Sequence, residues 1–489
     1  MMSFADRQAN TPLLNTLQTA ATQMRAAFHT PGHKRGQGTP DLLKDWLGAA
    51  VFQADLPELP ELDNLFNPEG VIQAAQILAA EAFGAEQSWF LANGSTCGIE
   101  AAVLAVCNPG DKIVLPRNVH QSAISALILS GAIPVFVEPA DDPKWGIAHT
   151  VTPAAVEAAL AQHPDSKAVM LVSPTYYGVC ADVRTIAQIT HSHHIPLLID
   201  EAHGAHFAFH PGLPPAALAS GADLVVQSTH KVLSALTQAA MLHVQGDRLN
   251  RDRLQRTLQL VQSTSPSYLL LASLDAARHQ MVTEGKSLLS QTLELAQLAR
   301  TRISQIPGLR VFSIDRPAPP GCFALDQTRI TIDVSGLGIT GFTADEILHQ
   351  KLNVTVELPG LHHLTLILTI GNTLADIDRL IQACQILARD FHAPATPRPP
   401  FPPSLPLPAA PLSPRDAFFS PTLTRPAPQA IGHLSAELIC PYPPGIPVLF
   451  PGEVITAEAI EVLQQVQSAG GVITGCTDPT LQTLKVLAL

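Results

Sequence analysis

The 489-residue chain has no long run of lysine and arginine, and its formal net charge is -12. Affinity for nucleic acid rests largely on neutralised phosphates, so a DNA- or RNA-binding role is disfavoured. A cationic small molecule suits this field better. Long hydrophobic runs are missing too. The apolar stretches near 122–137 and 361–370 are broken by Gly, Pro, His or Ser before they reach about 20 residues, the length that spans a bilayer as a helix. The start, MMSFADRQANTPLL, has neither a basic segment nor an apolar one behind it, so no signal peptide is expected. The cysteines (97, 107, 180, 322, 384, 440 and 476) form no CxxC pair, a pattern of buried or free thiols in a reducing compartment rather than of disulfides or structural zinc. These absences together lead to the expectation of a cytoplasmic protein that binds neither membrane nor nucleic acid. Charged residues make up only 14% of the chain against 46% apolar, which excludes disorder as the dominant state. The length calls for a large core and at least two structural units.

What the chain has in excess is proline, 43 residues, with a dense cluster from Pro394 to Pro428. Proline fixes φ and removes a donor, so this stretch reads as extended chain, a linker over 392–430 between two units. Before it, short apolar runs at 112–115, 133–137, 168–172, 196–200 and 223–227 alternate with helical spacing at 120–130, 153–162 and 183–193. That alternation predicts a mostly parallel sheet covered by helices. A different pattern follows: a helix over 286–304, strands at 329–334 and 364–370, and a helix over 374–390. The expected division is an N-terminal segment 1–85, a large α/β domain 86–285, a smaller α/β domain 286–391, the linker, and a C-terminal subdomain 431–489 with a helix from Thr456 to Ser468.

In an open parallel sheet the ligand sits at the carboxyl ends of the strands. Four polar groups fall there. Asn93-Gly94-Ser95-Thr96 feeds a helix and offers free N–H groups and two hydroxyls to a phosphate, although Ser or Thr before a helix is also an ordinary cap. Asp200 ends the run PLLID; it is placed either to accept backbone N–H groups or to hold a proton on a ring nitrogen. Ser228-Thr229-His230-Lys231 follows another strand, where a lysine amine can form a Schiff base with an aldehyde cofactor. His120 stands at a helix start, as a cap or as a ring that stacks on a flat cofactor. His29 and His33 have metal-pair spacing, but Pro31 and Gly32 between them break any helix, so no metal site is expected. His191, His193 and His194 read as a solvated cluster at a helix end.

A phosphate cradle, a stacking ring, a strand-end aspartate and a Ser-x-His-Lys, in that order, match the aspartate-aminotransferase-like fold of pyridoxal phosphate enzymes. More specifically, FHTPGHKRG (28–36), ELDNLFNPEG (61–70), NGST (93–96), RNVHQSAISAL (117–127), SPTYYGVCADV (173–183), DEAHGAH (200–206), STHK (228–231), SPSYLLLASLDAAR (265–278) and PYPPGIPVLFPGE (441–453) resemble the Orn/Lys/Arg decarboxylase family, in the short form without an N-terminal receiver-like domain. The resemblance implies decarboxylation of a basic amino acid, arginine ahead of lysine and ornithine, with pyridoxal 5'-phosphate as cofactor and a homodimer as the minimal assembly. It implies that Lys231 holds the cofactor, Asp200 pairs with its ring nitrogen, His120 stacks on the ring and His203 lies beside it. Ser95, Thr96, Ser228 and His230 would hold the phosphate. Lys231 or His230 would return a proton to Cα, and Glu453 would face the distal cation of the substrate. Thr175 and Tyr176 are expected to line the site.

One departure is Gln121, where many family members have lysine after the stacking histidine. Two alternatives are another reaction on the same fold, an aminotransferase or lyase, and a catalytically silent regulatory member. The first would need an arginine for the substrate carboxylate late in the small domain, and LTLILTIGN supplies none. The presence of both Lys231 and Asp200 argues against the second.

Overall fold

The computed structural model describes residues 3–315, 317–391, 410–442 and 444–488. Seven strands make the main sheet: β1 (Gln87–Leu91), β2 (Lys112–Pro116), β3 (Ile133–Val137), β4 (Ala168–Val172), β5 (Leu197–Asp200), β6 (Leu224–Gln227) and β7 (Ala240–Val244), in the order β1-β7-β6-β5-β4-β2-β3. Six strands run parallel, and β7 runs antiparallel to both its neighbours. The inner strands β4, β5, β6 and β7 are buried along their whole length, as apolar runs covered on both faces should be. The predicted parallel sheet is therefore present. Strands β1 and β7 were not anticipated, because Ser88 and His243 interrupt their apolar pattern; inside the sheet these two side chains pair with each other at 2.6 Å.

The smaller sheet is antiparallel: β8 (Arg310–Val311), β9 (Arg329–Asp333), β10 (Leu358–Pro359) and β11 (His363–Ile367), ordered β8-β9-β11-β10. Its core includes Ile330, Ile332, Leu364, Leu366 and, from the helix Leu374–Asp390, Leu380 and Leu387. The expected boundary between residues 285 and 286 does not exist as a break. It falls inside one 36-residue helix, Tyr268–Ile303, whose first half packs on the large unit and whose last turns pack on the small one. Buried Leu271, Leu274, Met281, Leu289, Ala296 and Ile303 recur at helical spacing right through Gly285, where only ordinary side-chain contacts would meet a Cβ. The same helix anchors the N-terminal segment: Asp275 accepts the Leu13 and Leu14 N–H groups, and Arg278 donates to the Gln8 and Asn10 carbonyls.

The linker expectation also needs correction. Residues 392–409, with most of its prolines, lie outside the described residues. From Ser413 onward, however, the chain is folded into the C-terminal unit: a helix, Pro414–Phe419, then β12 (Thr422–Pro426), which pairs along its length with β15 (Thr483–Leu487). Between them, β13 (Cys440–Tyr442) pairs with β14 (Val472–Thr474), and the expected helix forms as Ala457–Ser468. Prolines survive here for local reasons. Pro414 sits in the first helical turn, where its missing N–H loses nothing, and Pro426 closes a strand that has one partner only.

Candidate active site

The carboxyl ends of β1, β2, β5 and β6 converge, and the residues singled out there come together. After β1, Gly94 turns at φ +77 and opens the helix Gly94–Val106, pressed so closely on the sheet that a Cβ on Gly98 would lie 2.7 Å from Leu91 and Val226. Asn93 is the cap residue, so Ser95 and Thr96 lie within the first turn rather than capping it. After β6, Ser228 donates to Ser95 Oγ at 2.7 Å, which joins the two expected phosphate groups at one helix N-terminus. Thr96 is exposed at its rim.

Asp200 ends β5 and is 6% exposed, with Ala202 N–H donating to Oδ1 at 3.1 Å. Burial raises its pKa, and the charge of Lys231 acts in the opposite direction. Lys231 lies in the short helix Thr229–Val232, its Nζ 3.2 Å from His203 Nε2. Burial lowers its pKa, reinforced by Arg329 and opposed by Asp200 and Glu357. The amine is thereby biased toward its free, nucleophilic form. His230 donates Nδ1–H to the Ala239 carbonyl at 3.0 Å, so its neutral ring presents Nε2 as an acceptor.

His120 follows β2 and caps the helix Gln121–Ser130, accepting the Ser122 N–H on Nδ1 at 3.2 Å. It is a cap, and it stands close enough to Lys231 for that charge to add to burial in lowering its pKa to about 4. Tyr176 packs edge-on against His203, ring centroids 5.0 Å apart, whereas Thr175 is buried and committed to a turn with Val179. The histidine cluster is only partly a solvated end, since His191 pairs with buried Asp223 at 2.9 Å.

Glu453, expected to face the distal cation of a substrate, meets a cation of its own chain. Its side chain is wholly buried and paired with Arg117 at 3.0 Å, and it accepts the Phe450 N–H at 3.0 Å. Arg117 also donates to the Pro447 and Val448 carbonyls and stacks on Phe136 and Phe450. The pair fastens the C-terminal unit beside His120, with the Gly445 carbonyl accepting the Gln121 N–H at 3.0 Å. Within the chain, Arg117 balances the Glu453 charge. Burial still lifts the Glu453 pKa to about 7 against the pull of Arg117.

Arg329 and Glu357 were not anticipated. Arg329 opens β9 and reaches from the small unit to His203, Nη2 to Nδ1 at 2.8 Å. The small unit thus brings an arginine to the site from the start of β9, while LTLILTIGN has none. Glu357, just before β10, is exposed, and its charge reaches Lys231, His230 and Arg329.

Comparison with known proteins matches this architecture. The family model described as the Orn/Lys/Arg decarboxylase major domain matches residues 11–329, and that family's C-terminal domain matches 424–475. An arginine decarboxylase of Bacillus subtilis (strain 168) is 39% identical, and one of Bacillus anthracis 41% identical, each over 98% of this chain and 98% of the relative. The crystal structure of a Francisella novicida lysine decarboxylase superposes with a TM-score of 0.85 at 23% identity, over 98% of this chain and 82% of that one; it attests the fold. By sequence from end to end and by the layout of its strand-end residues, the chain belongs to the Orn/Lys/Arg decarboxylase family.

Proposed function

We propose that the protein decarboxylates a basic amino acid with pyridoxal 5'-phosphate, taking arginine in preference to lysine and ornithine, and releases the amine, a polyamine precursor, with carbon dioxide. The observation that carries the substrate is the identity of about 40% to two arginine decarboxylases over 98% of the chain. The donor set supports the cofactor. A buried carboxylate with a single backbone donor suits a ring N–H, paired hydroxyls at a helix N-terminus suit a phosphate, and a buried amine biased to the free form suits an aldehyde.

Asp200 would keep the ring nitrogen protonated, and His120, neutral by its lowered pKa, would lie against the ring face. Ser95, Thr96, Ser228 and His230 would hold the phosphate. When bound, the cofactor supplies an electron sink for the pair left as the bond between Cα and the carboxylate breaks. Lys231 Nζ would then deliver the proton to Cα. His230 is the weaker donor, since its one ring proton is engaged with Ala239 and burial lowers its pKa.

Purified protein loaded with pyridoxal phosphate is expected to release carbon dioxide with kcat/KM highest for arginine, lower for lysine and ornithine, and negligible for acidic amino acids. Borohydride should fix the chromophore onto Lys231. Keto-acid formation without carbon dioxide would overturn the reading, and a higher kcat/KM for lysine would move the substrate.

The assembly proposed is a homodimer. The short helix Asp41–Leu47 buries none of its side chains, Leu42 (89%) and Trp46 (79%) being the most exposed apolar ones, and Met24 (100%) and Phe28 (95%) earlier in the same N-terminal segment are exposed as well. A second copy is the occupant that the family site calls for, and among the described residues no segment covers these side chains. Trp46→Glu is expected to reduce the mass seen by light scattering to that of one 52.0 kDa chain; an unchanged mass would place the interface elsewhere.

A further inference from the structure

Among the largest fully buried side chains is Arg329, 1% exposed, which the chemistry above does not use. It is closely built in. Gly178, at φ +84, packs on its stem, where a Cβ would come within 2.8 Å of Arg329 Cβ. Asp326 Oδ2 lies 3.9 Å from Nε and, on its other side, 3.2 Å from His206 Nε2. Burial alone would raise the Asp326 pKa, but His206 and Arg329 hold it at about 2, a carboxylate that balances the guanidinium. Two of the guanidinium nitrogens, Nε and Nη1, have no hydrogen-bond partner among the described residues; Nη2 donates to His203 Nδ1 at 2.8 Å and to the His203 carbonyl at 3.3 Å. Burying an arginine with unmet donors is costly, so the interaction it does make calls for an account.

We infer that Arg329 is a positioning residue that keeps the proton of His203 on Nε2 and so makes His203 a hydrogen-bond donor toward Lys231 Nζ. A guanidinium only donates, so Nδ1 must be the acceptor. The ring is neutral, since burial and then the charges of Lys231 and Arg329 hold its pKa well below the histidine range. A neutral imidazole with a bare Nδ1 carries its proton on Nε2, and Nε2 stands 3.2 Å from Lys231 Nζ. An N–H aimed at Nζ favours the free amine, which offers a lone pair, over the ammonium, which does not. Without Arg329 the proton is free to move to Nδ1, and the bare Nε2 would then favour the ammonium. The charged and titratable groups facing this pair are Asp200, His120, Tyr176, His230, Arg329 and Glu357.

The consequence for Lys231 rests on reading it as the reactive amine; the His203 proton is observable without cofactor. In the full chain labelled with 15N-histidine, the His203 signals, assigned by their loss in His203→Asn, are expected to show a protonated Nε2 and a bare Nδ1 at neutral pH. A proton on Nδ1 overturns the inference. In the cofactor-free full chain, Arg329→Met is expected to raise the midpoint of Lys231 labelling by an amine reagent, read by mass spectrometry, by about one pH unit, roughly a tenfold loss of free amine near neutrality. In the His203→Asn background the same substitution should move the midpoint by less than half as much. An equal shift there means that the arginine acts by charge alone and overturns the proposal. If Arg329→Met does not fold, the wild-type histidine spectrum decides. A chain that takes up no pyridoxal phosphate would sink the functional proposal and leave the His203 readout standing.

Discussion

Replacing Lys231 with alanine is expected to lower kcat by about 10³-fold or more, because one positioned proton donor alone contributes about 10²–10⁴-fold and this residue is also proposed to hold the cofactor. The same replacement should leave the fold no less stable. Burial lowers the Lys231 pKa, so below the ordinary lysine range the unfolded chain binds a proton more readily than the native one. Stability from this group therefore rises with pH, and it is a penalty near neutrality. Removing the amine relieves that penalty, and the advantage of the variant in thermal unfolding should narrow as pH is raised toward the lysine range. The two readouts separate a chemical role from a structural one. A variant that keeps more than a tenth of kcat removes Lys231 from the chemistry; one that unfolds well below wild type at neutral pH makes the amine a structural group.

Arg117→Met should destabilise the protein by about 3–5 kcal/mol, the usual cost of breaking a buried ion pair by removing one partner. Methionine keeps apolar bulk between Phe136 and Phe450 but strands the Glu453 carboxylate and leaves the Pro447 and Val448 carbonyls without this donor. The pH dependence has a definite sign. A carboxyl whose folded pKa is raised, here already to about 7 with its cation present, contributes stability that is complete below the ordinary carboxylate range and lost as pH rises through the folded value. Without the cation that loss deepens, so the gap to wild type in urea unfolding should widen on going from mildly acidic to mildly alkaline solution. Glu453→Gln then separates a fastening role for this carboxylate from a substrate-binding one. If this residue fastens the C-terminal unit, the ratio of kcat/KM for arginine to that for lysine stays as in wild type. A selective loss for one of them would return Glu453 to the substrate.

The parts of the site legible in the sequence share one property: each stands directly after a buried apolar strand. Asp200 after PLLI, Ser228 to Lys231 after LVVQ and His120 after KIVLP are local signals, and the strands that carry them are buried because their runs are continuous. Such residues were found without knowledge of any partner. The pairing of Glu453 was missed because its motif is local while its partner is not, Arg117 standing 336 residues earlier. Arg329 was overlooked because an arginine opening the strand RITID looks like an edge residue until the small sheet is packed against His203, 126 residues before it. The 286 boundary and the far end of the linker failed for the opposite reason. The helix was begun at 286 and the prolines were read as extended chain, whereas buried packing continues through Gly285 and a strand with one partner, β12, tolerates its proline.

By itself, then, the sequence determined the helix-covered parallel sheet, the family, and the strand-end lysine, aspartate, histidines and serines, because periodicity and strand ends are properties of neighbouring residues. Only the tertiary structure decided which charges meet. Arg117 neutralises Glu453, and Arg329 orients His203 beside Lys231, because a buried charge takes its role from the group that packs against it, and that group comes from a distant part of the chain.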